Sequence, residues 1–206
     1  MLPDPFLPRR RGRPKGFDDI DALEAATRLF WARGYEQAPM DALCRAMHMP
    51  RASLYQRFGG KEGLFLAAID HYARTRLQPI AAVLTDGTVL RDDLLTFFER
   101  VVAMSTDDPE TPGCLISSVL ADAARGNPAL GAERDRRFGR LEALIADRLA
   151  ADGWPEGGPC PPVVAATLAA AMARGIVLRA RSGHDAARLH PVGRAAVDAI
   201  LALRDA

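Results

Sequence analysis

Residues 40–65, MDALCRAMHMPRASLYQRFGGKEGLF, carry the strongest structural signal in this chain. Apolar residues recur there at helical spacing in two groups, first Met40, Leu43 and Met47 and then Leu54 and Phe58. Residues three, four or seven positions apart lie on one face of a helix. The pattern therefore predicts two short amphipathic helices joined by a tight turn, with another helix beginning near Lys61.

The second of these helices turns a polar and cationic face away from its apolar stripe. That face carries small, polar and positively charged side chains: Arg51, Ala52, Ser53, Tyr55, Gln56 and Arg57. Side chains of these types, presented on a short helix, can reach base edges and phosphates in the major groove of DNA. The stretch is typical of a DNA-binding helix-turn-helix.

Charge is distributed unevenly along the chain, although the formal net charge is only +1. Residues 1–61 hold eleven Lys or Arg against seven Asp or Glu, whereas the remainder holds sixteen against nineteen. Positive charge thus accompanies the predicted DNA-reading helix, as binding to phosphates requires.

The first sixteen residues, MLPDPFLPRRRGRPKG, combine prolines with a cationic cluster, and we expect a flexible basic arm. Arg11 and Arg13 belong to an RGRP sequence similar to an AT-hook, and arginines favour the narrow minor groove of A·T-rich DNA. The alternative is a tail that only improves solubility.

The whole chain predicts helices and no strands, which gives an all-α fold of about nine helices. We expect the first helix to close at Gly34, the fourth to end at Pro79, and the last to be kinked or interrupted near Pro191. The predicted domains are a basic arm at 1–16, a helix-turn-helix domain at 17–62, and a ligand-binding and dimerisation domain at 63–206.

Composition indicates a soluble cytoplasmic protein. Hydrophobic residues make up 49% of the chain, and its three cysteines do not form a disulfide framework. The N-terminus lacks the apolar segment of a signal peptide. The most apolar run, residues 163–178, contains Arg174, and we interpret it as a packed helix instead of a membrane span.

The N-terminal third resembles the TetR/AcrR-type bacterial transcriptional regulators. The matching residues occur in order over about fifty positions: Ala25-Ala26, Leu29-Phe30, Gly34-Tyr35, Met40-Asp41, Ser53-Leu54-Tyr55, Phe58, Lys61-Glu62 and Leu64-Phe65. The remaining helices are compatible with the family's effector-binding and dimerisation domain. The resemblance implies a homodimer that binds a double-stranded DNA operator and responds to a small-molecule effector.

Carried over by position, the resemblance assigns roles to individual residues. Arg51, Ala52 and Gln56 are expected to face base edges, because arginine pairs bidentately with guanine and glutamine with adenine. Ser53, Tyr55 and Lys61 are expected to contact phosphates, and Arg57 either bases or phosphates.

Three positions depart from the family's pattern. Ala38-Pro39 replaces the usual Thr or Ser before the second helix, which removes a side-chain cap worth about 1 kcal/mol. His48 stands in the turn where the family carries Gly, and Pro50 replaces the Ser or Thr that opens the third helix.

The C-terminal domain offers two further groups of candidates. The resemblance suggests that an effector pocket is lined by Phe97, Phe98, Val101, Met104, Cys114, Leu115, Val119, Leu141 and Leu144. Apolar faces of the last two helices suggest a four-helix dimer interface formed by Leu168, Met172, Ile176, Val197, Ile200 and Leu201.

Two other classes of function have little support. Cys44 and His48 have the spacing of helical metal ligands, but a structural site needs four ligands, so we expect no metal and no cofactor. No catalytic motif is present, and we expect no enzyme activity. The predicted function is a transcriptional repressor released from a palindromic operator by its effector. The alternatives are an effector-independent or architectural DNA-binding protein and a thiol-based sensor.

Overall fold

The computed structural model describes residues 19–87 and 89–204, which are helical with no strand. Those residues form α1 (Asp19–Gln37), α2 (Met40–Ala46), α3 (Arg51–Phe58), α4 (Lys61–Tyr72), π1 (Ala73–Leu77), α5 (Gln78–Ala81), α6 (Val83–Asp86), α7 (Leu90–Thr106), π2 (Ile116–Leu120), α8 (Ala121–Ala123), α9 (Pro128–Ala151), α10 (Pro162–Arg181) and α11 (Ala186–Ala202), where π marks a π-helical turn. The all-α prediction is confirmed. The number of helical segments is larger than the nine expected, because short helices such as α5, α6 and α8 are separate segments that the sequence pattern does not resolve.

An aromatic core joins α1 to α4. Phe30 and Phe65 are fully buried and meet edge to face, with ring centroids 4.8 Å apart. The ring of Tyr35 lies 4.9 Å from that of Phe65, beyond the break in α1 at Gly34, whose φ of 75° suits glycine. Leu54 of α3 is fully buried in the same hydrophobic core. Packing of this kind fixes α3 against α4 and leaves the opposite face of α3 exposed.

The turn between α2 and α3 is closed by His48 in the left-handed conformation, with φ of 50°. The amide of His48 donates to the carbonyl of Arg45, and the amide of Met49 donates to the carbonyl of Cys44. These two bonds form the Schellman motif that usually places glycine at this position. Met49, the residue that follows His48, is buried in the hydrophobic core. The turn therefore has the Schellman geometry without a glycine, and neither α2 nor α3 has a side-chain N-cap hydrogen bond.

The effect of substitutions at His48 on the free energy of unfolding is expected to depend on backbone strain, because the His48 side chain is exposed. His48→Val should lower the free energy of unfolding by about 1–2 kcal/mol, since a β-branched residue is penalised at positive φ. His48→Gly should stay within about 1 kcal/mol of the wild type, because relief of strain offsets the greater freedom of the unfolded chain. Urea unfolding of the three proteins checks this, and equal stabilities of the Val and Gly variants would contradict it.

The helical path does not end at Pro79, contrary to the sequence-based prediction. After α4 the backbone widens into π1, and Pro79 occupies the first turn of α5. A proline is tolerated there because the first amides of a helix have no intrahelical partner. The path therefore continues through α6, and this added length forms one side of a cavity.

The last helix is also more regular than expected. Helix α11 is continuous from Ala186 to Ala202 with Pro191 inside it. Pro191 removes the helical partner of the Ala187 carbonyl, and both residues are exposed, so water can satisfy that carbonyl.

Helix α10 packs against α7, α9 and α11 through a face of small residues. Ala165, Ala166, Ala169 and Ala170 are fully buried, and alanine allows helices to approach closely. The helix is long and apolar enough to span a membrane by length and composition alone. Its buried alanine face and its cationic end at Arg179 and Arg181 agree with the prediction of a packed helix.

Two polar contacts tie distant parts of the chain together. Asp93 of α7 and Arg148 of α9 are both buried, and the Nε of Arg148 donates to Oδ2 of Asp93 at 2.7 Å. Asn127 caps α9 through its Oδ1, which accepts from the amides of Ala129 and Leu130. The Nδ2 of Asn127 donates to Oε2 of Glu62 at 2.6 Å, so the start of α9 is joined to the start of α4.

Candidate nucleic-acid interface and ligand cavity

Helix α3 presents the predicted DNA-reading side chains to solvent. Leu54 is fully buried and Phe58 is half-buried, which fixes the rotation of the helix. The opposite face is exposed and carries Arg51, Ala52, Ser53, Tyr55, Gln56 and Arg57. The structure therefore brings six of the sequence-predicted residues together on one outer face.

Arg51 is partly positioned before any partner binds. Its guanidinium lies 5.7 Å from the centroid of the Tyr55 ring, and its Nη1 approaches Oδ1 of Asp41 at 3.4 Å. Hydrogen bonding to Tyr55 raises the pKa of Arg51 above its usual value. Asp41 is a weak, exposed competitor that a guanine or phosphate can displace.

Lys61 lies at the start of α4 but is engaged with the end of α1. Its Nζ donates to the carbonyl of Glu36 at 2.9 Å and sits 4.9 Å from the centroid of the Tyr35 ring. Burial, followed by the nearby carboxylates Glu62 and Glu36, raises the pKa of Tyr35, which stays neutral. Lys61 therefore braces the helix-turn-helix as well as carrying charge close to it. The predicted minor-groove residues Arg11 and Arg13 lie outside the described residues.

A cavity of about 460 Å³ lies among α4, π1, α5, α7, α9 and α10. Its volume is within the range of roughly 300–1,000 Å³ that is usual for small-molecule sites. Of the residues expected to line an effector pocket, the cavity is lined by Phe97, Val101, Met104, Cys114, Leu141 and Leu144. Phe98, Leu115 and Val119 do not line it.

The side chains of these three residues are buried in the hydrophobic core without lining the cavity. Phe98 follows Phe97 directly on α7 but points to α11, where its Cβ lies 3.3 Å from the position that a Cβ on Gly193 would take. Leu115 and Val119 are likewise no more than 4% exposed and belong to the continuous hydrophobic core.

Sequence reasoning missed the other walls of the cavity. Apolar lining residues include Ala73, Leu77, Ile80, Phe138 and Val177, and the charged ones are Asp70, Arg74, Arg137, Arg140 and Arg174. Arg137 and Asp70 pair at 3.1 Å and join α9 to α4. The available signal was the position of Arg137, Arg140, Leu141 and Leu144 on one face of α9.

The three cysteines are free thiols. Cys114 is buried in the cavity wall beside Tyr72, and burial followed by the proximity of Cys114 raises the pKa of that tyrosine well above its usual value. The hydroxyl of Tyr72 also contacts the Sδ of Met104 at 3.5 Å. Within residues 19–87 and 89–204, no group of His, Cys, Asp and Glu has an arrangement that could hold a metal ion.

The predicted dimer residues separate into two groups. Ile176, Val197 and Ile200 are buried inside the protomer, so their assignment to an interface is wrong. Leu168 is 40% exposed, and Met172 and Leu201 are half-buried. The exposed apolar face consists instead of Val164, Leu168, Ala171, Gly175 and Leu178 on α10 with Val192, Ala195 and Ala199 on α11. We call these residues the α10–α11 face.

Comparison with known proteins identifies the family. Residues 22–68 match the family model described as bacterial regulatory proteins, tetR family. The fold also matches a cysteine mutant of the TetR family transcriptional regulator CifR, whose structure was solved with 26bp double-strand operator DNA. That match has a TM-score of 0.77 and 32% identity, and covers 91% of this chain and 99% of that chain. The chain belongs to the TetR family.

Two curated relatives of this TetR-family chain come from Escherichia coli (strain K12). The HTH-type transcriptional repressor ComR is 33% identical over 109 residues, and the match spans about half of each protein, 52%. The HTH-type transcriptional repressor BdcR is 25% identical over 189 residues, 92% of each. The TetR-family chain is thus a DNA-binding transcriptional regulator, as its sequence predicts.

Proposed function

We propose that this protein is a homodimeric repressor that binds a palindromic operator through α3 and leaves it when a small molecule occupies the cavity. The exposed cationic face of α3 above a fully buried Leu54 is the observation that carries this proposal. The repressors ComR and BdcR, and CifR bound to operator DNA, support it by similarity. We place the protein in the cytoplasm, with the DNA that it regulates, and assign it no enzymatic role.

Dimerisation is assigned to the α10–α11 face. Val164, Leu168 and Leu178 are 40–64% exposed and lie on one side of α10. Exposed apolar side chains aligned on two neighbouring helices suit a symmetric four-helix interface. A dimer built in this way presents two α3 helices to successive major grooves, about 34 Å apart.

Helix α4 couples the cavity to α3. Its first half packs against α1 and α3, and its end, with Asp70 and the following Ala73 and Leu77, lines the cavity. A ligand that contacts this end can favour a different position of α4 and change the separation of the two α3 helices. Such coupling is reciprocal, so operator must weaken ligand binding by the same factor.

The experiment for the proposed function is operator binding with and without ligand. Footprinting of genomic fragments bound by the protein defines the operator, and fluorescence anisotropy then measures its affinity across a small-molecule library. We expect at least one compound to weaken operator binding and to bind less tightly when operator is present. An affinity that no compound changes would indicate the effector-independent alternative.

Base reading and phosphate binding are separable by substitution. Arg51→Ala and Gln56→Ala should each reduce discrimination between the operator and its single-base variants by about 1–3 kcal/mol, because each removes a possible bidentate base contact. Lys61→Ala should weaken all sequences alike and make the dependence of affinity on salt shallower by about one unit of slope. Anisotropy titrations on operator and on variants at several salt concentrations measure both effects.

Arg91→Ala serves as the control, because Arg91 is an exposed arginine on α7, distant in sequence from α3. It should change neither discrimination nor the salt slope. Equal loss of discrimination in the variants at 51, 56 and 61 would contradict the assigned roles. Thermal unfolding of Lys61→Ala shows whether loss of its bond to Glu36 also loosens the fold.

A further inference from the structure

The buried part of the cavity wall is apolar. Phe97, Val101, Cys114 and Ile116 are each no more than 6% exposed and line it. Phe138, Leu141 and Leu144 continue the apolar wall from α9. Burial of hydrocarbon is favourable in proportion to the area removed from water, so this part of the site suits an alkyl or aryl body.

Positively charged residues outnumber negatively charged ones on the cavity wall. Four arginines, Arg74, Arg137, Arg140 and Arg174, face a single acidic lining residue, Asp70. Asp70 is already held by Arg74 and Arg137, each at 3.1 Å. Its negative charge is therefore already offset by two arginines, which makes the wall less favourable for a cationic ligand.

Arg174 is held in place but has an unused donor. Its Nη2 donates to Oε1 of Glu142 at 3.1 Å, and its guanidinium lies 4.7 Å from the centroid of the Phe138 ring. Its Nη1 is buried and has no hydrogen-bond partner. A buried donor without an acceptor is unfavourable, so an acceptor that moves within reach of Nη1 would form a bond that the protein does not otherwise make.

Arg140 provides a second available cation at the rim. It is exposed, lines the cavity from α9, and makes no hydrogen bond or ion pair with any other described residue. Arg74 and Gln78, also exposed, lie on the same rim from the α4 side. The entrance is therefore cationic while the interior is apolar.

We infer that the cavity binds an amphipathic anion, with an alkyl or aryl body in the apolar interior and one carboxylate recognised by Arg174 and Arg140. This inference rests on the proposed function, because it names the chemical class of the effector. Guanidinium groups suit carboxylates because their planar N–H donors match the two oxygens.

The test compares three head groups on two bodies. The probes are 4-phenylbutanoate, 4-phenylbutanol and 4-phenylbutylamine, together with decanoate, decanol and decylamine. Calorimetry or thermal shift measures their binding to the full-length protein without DNA. We expect the carboxylate of at least one series to bind about tenfold more tightly than its alcohol and its amine.

Substitutions connect that preference to the two arginines. Arg140→Gln and Arg174→Gln should each remove most of the tenfold preference for the carboxylate while leaving the affinity of the alcohol unchanged. Arg174→Lys replaces Arg174→Gln if the latter does not fold. It keeps the positive charge without the planar pair of N–H donors, and it should reduce the preference for the carboxylate only in part. Arg136→Gln is the matched control, since Arg136 is exposed on the same helix as Arg140 but does not line the cavity.

The inference is overturned if in both series the alcohol or the amine binds as tightly as the carboxylate, if none of the six probes binds, or if the preference survives in either Gln variant. Operator release is measured separately by anisotropy. If only a neutral compound releases the protein from the operator, the proposed function stands and the inference of an anionic effector is wrong. Carboxylate binding without release of operator would retain the anion and reject the proposed release mechanism.

Discussion

Leu168→Glu is expected to convert the protein to a monomer and to lower its affinity for the operator by a factor of about 10²–10⁴. The carboxylate would be placed in the centre of the α10–α11 face, where the partner's apolar residues would have to bury it without a counter-charge. Loss of the dimer removes the advantage of binding two half-sites at once, which accounts for the large factor. Light scattering after size exclusion measures the mass, and anisotropy on the operator measures the affinity.

Val89→Glu is the matched control for this substitution. Val89 is 53% exposed, more than Leu168 at 40%, but it precedes α7 and is not part of the α10–α11 face. The control should remain dimeric with unchanged operator affinity. A Leu168→Glu variant that keeps the dimer mass and the affinity would show that the subunits meet elsewhere.

The second large effect is on stability. Asp93→Ala is expected to lower the free energy of unfolding by about 3–5 kcal/mol, because it leaves the guanidinium of Arg148 buried without its closest carboxylate. The Nε–Oδ2 distance is 2.7 Å, and the next carboxylate oxygen, on Asp152, lies 3.6 Å from Nη1. Urea unfolding at a fixed protein concentration measures the change, since the stability of a dimer depends on concentration.

An exposed ion pair between α7 and α11 provides the comparison. Arg91 and Asp198 approach to 2.8 Å, but both side chains are more than half exposed. Arg91→Ala should therefore cost less than about 1 kcal/mol. Equal losses from the two substitutions would mean that burial does not govern the strength of these pairs.

The helix-turn-helix was predictable because each of its helices has a narrow apolar stripe. In α3 the burial of Leu54, together with the half-buried Phe58, determines which side chains face outwards. Turn geometry was less accessible, because His48 reaches a conformation that sequence patterns associate with glycine. Pro79 was misread for a related reason, since proline both ends helices and begins them.

The lining of the cavity and the exposed side of α10 were predicted less well, because apolar character does not say what a side chain touches. Phe97 and Phe98 are adjacent and chemically identical, yet one lines the cavity and the other packs towards α11. On α10 most of the alanines are inside, whereas the larger residues Leu168 and Leu178 are outside. Close helix packing reverses the usual expectation that the largest apolar side chains are the most buried.

The oxygen and the nitrogen of the Asn127 side chain make hydrogen bonds to two different helices. Its oxygen serves its own helix by accepting from two amides of α9, and its nitrogen serves a different helix by donating to Glu62 on α4. The oxygen can keep α9 capped while the nitrogen releases Glu62. The hydrogen bond between α9, which carries Phe138 and Arg140, and the start of α4 can thus break while the N-terminus of α9 stays capped.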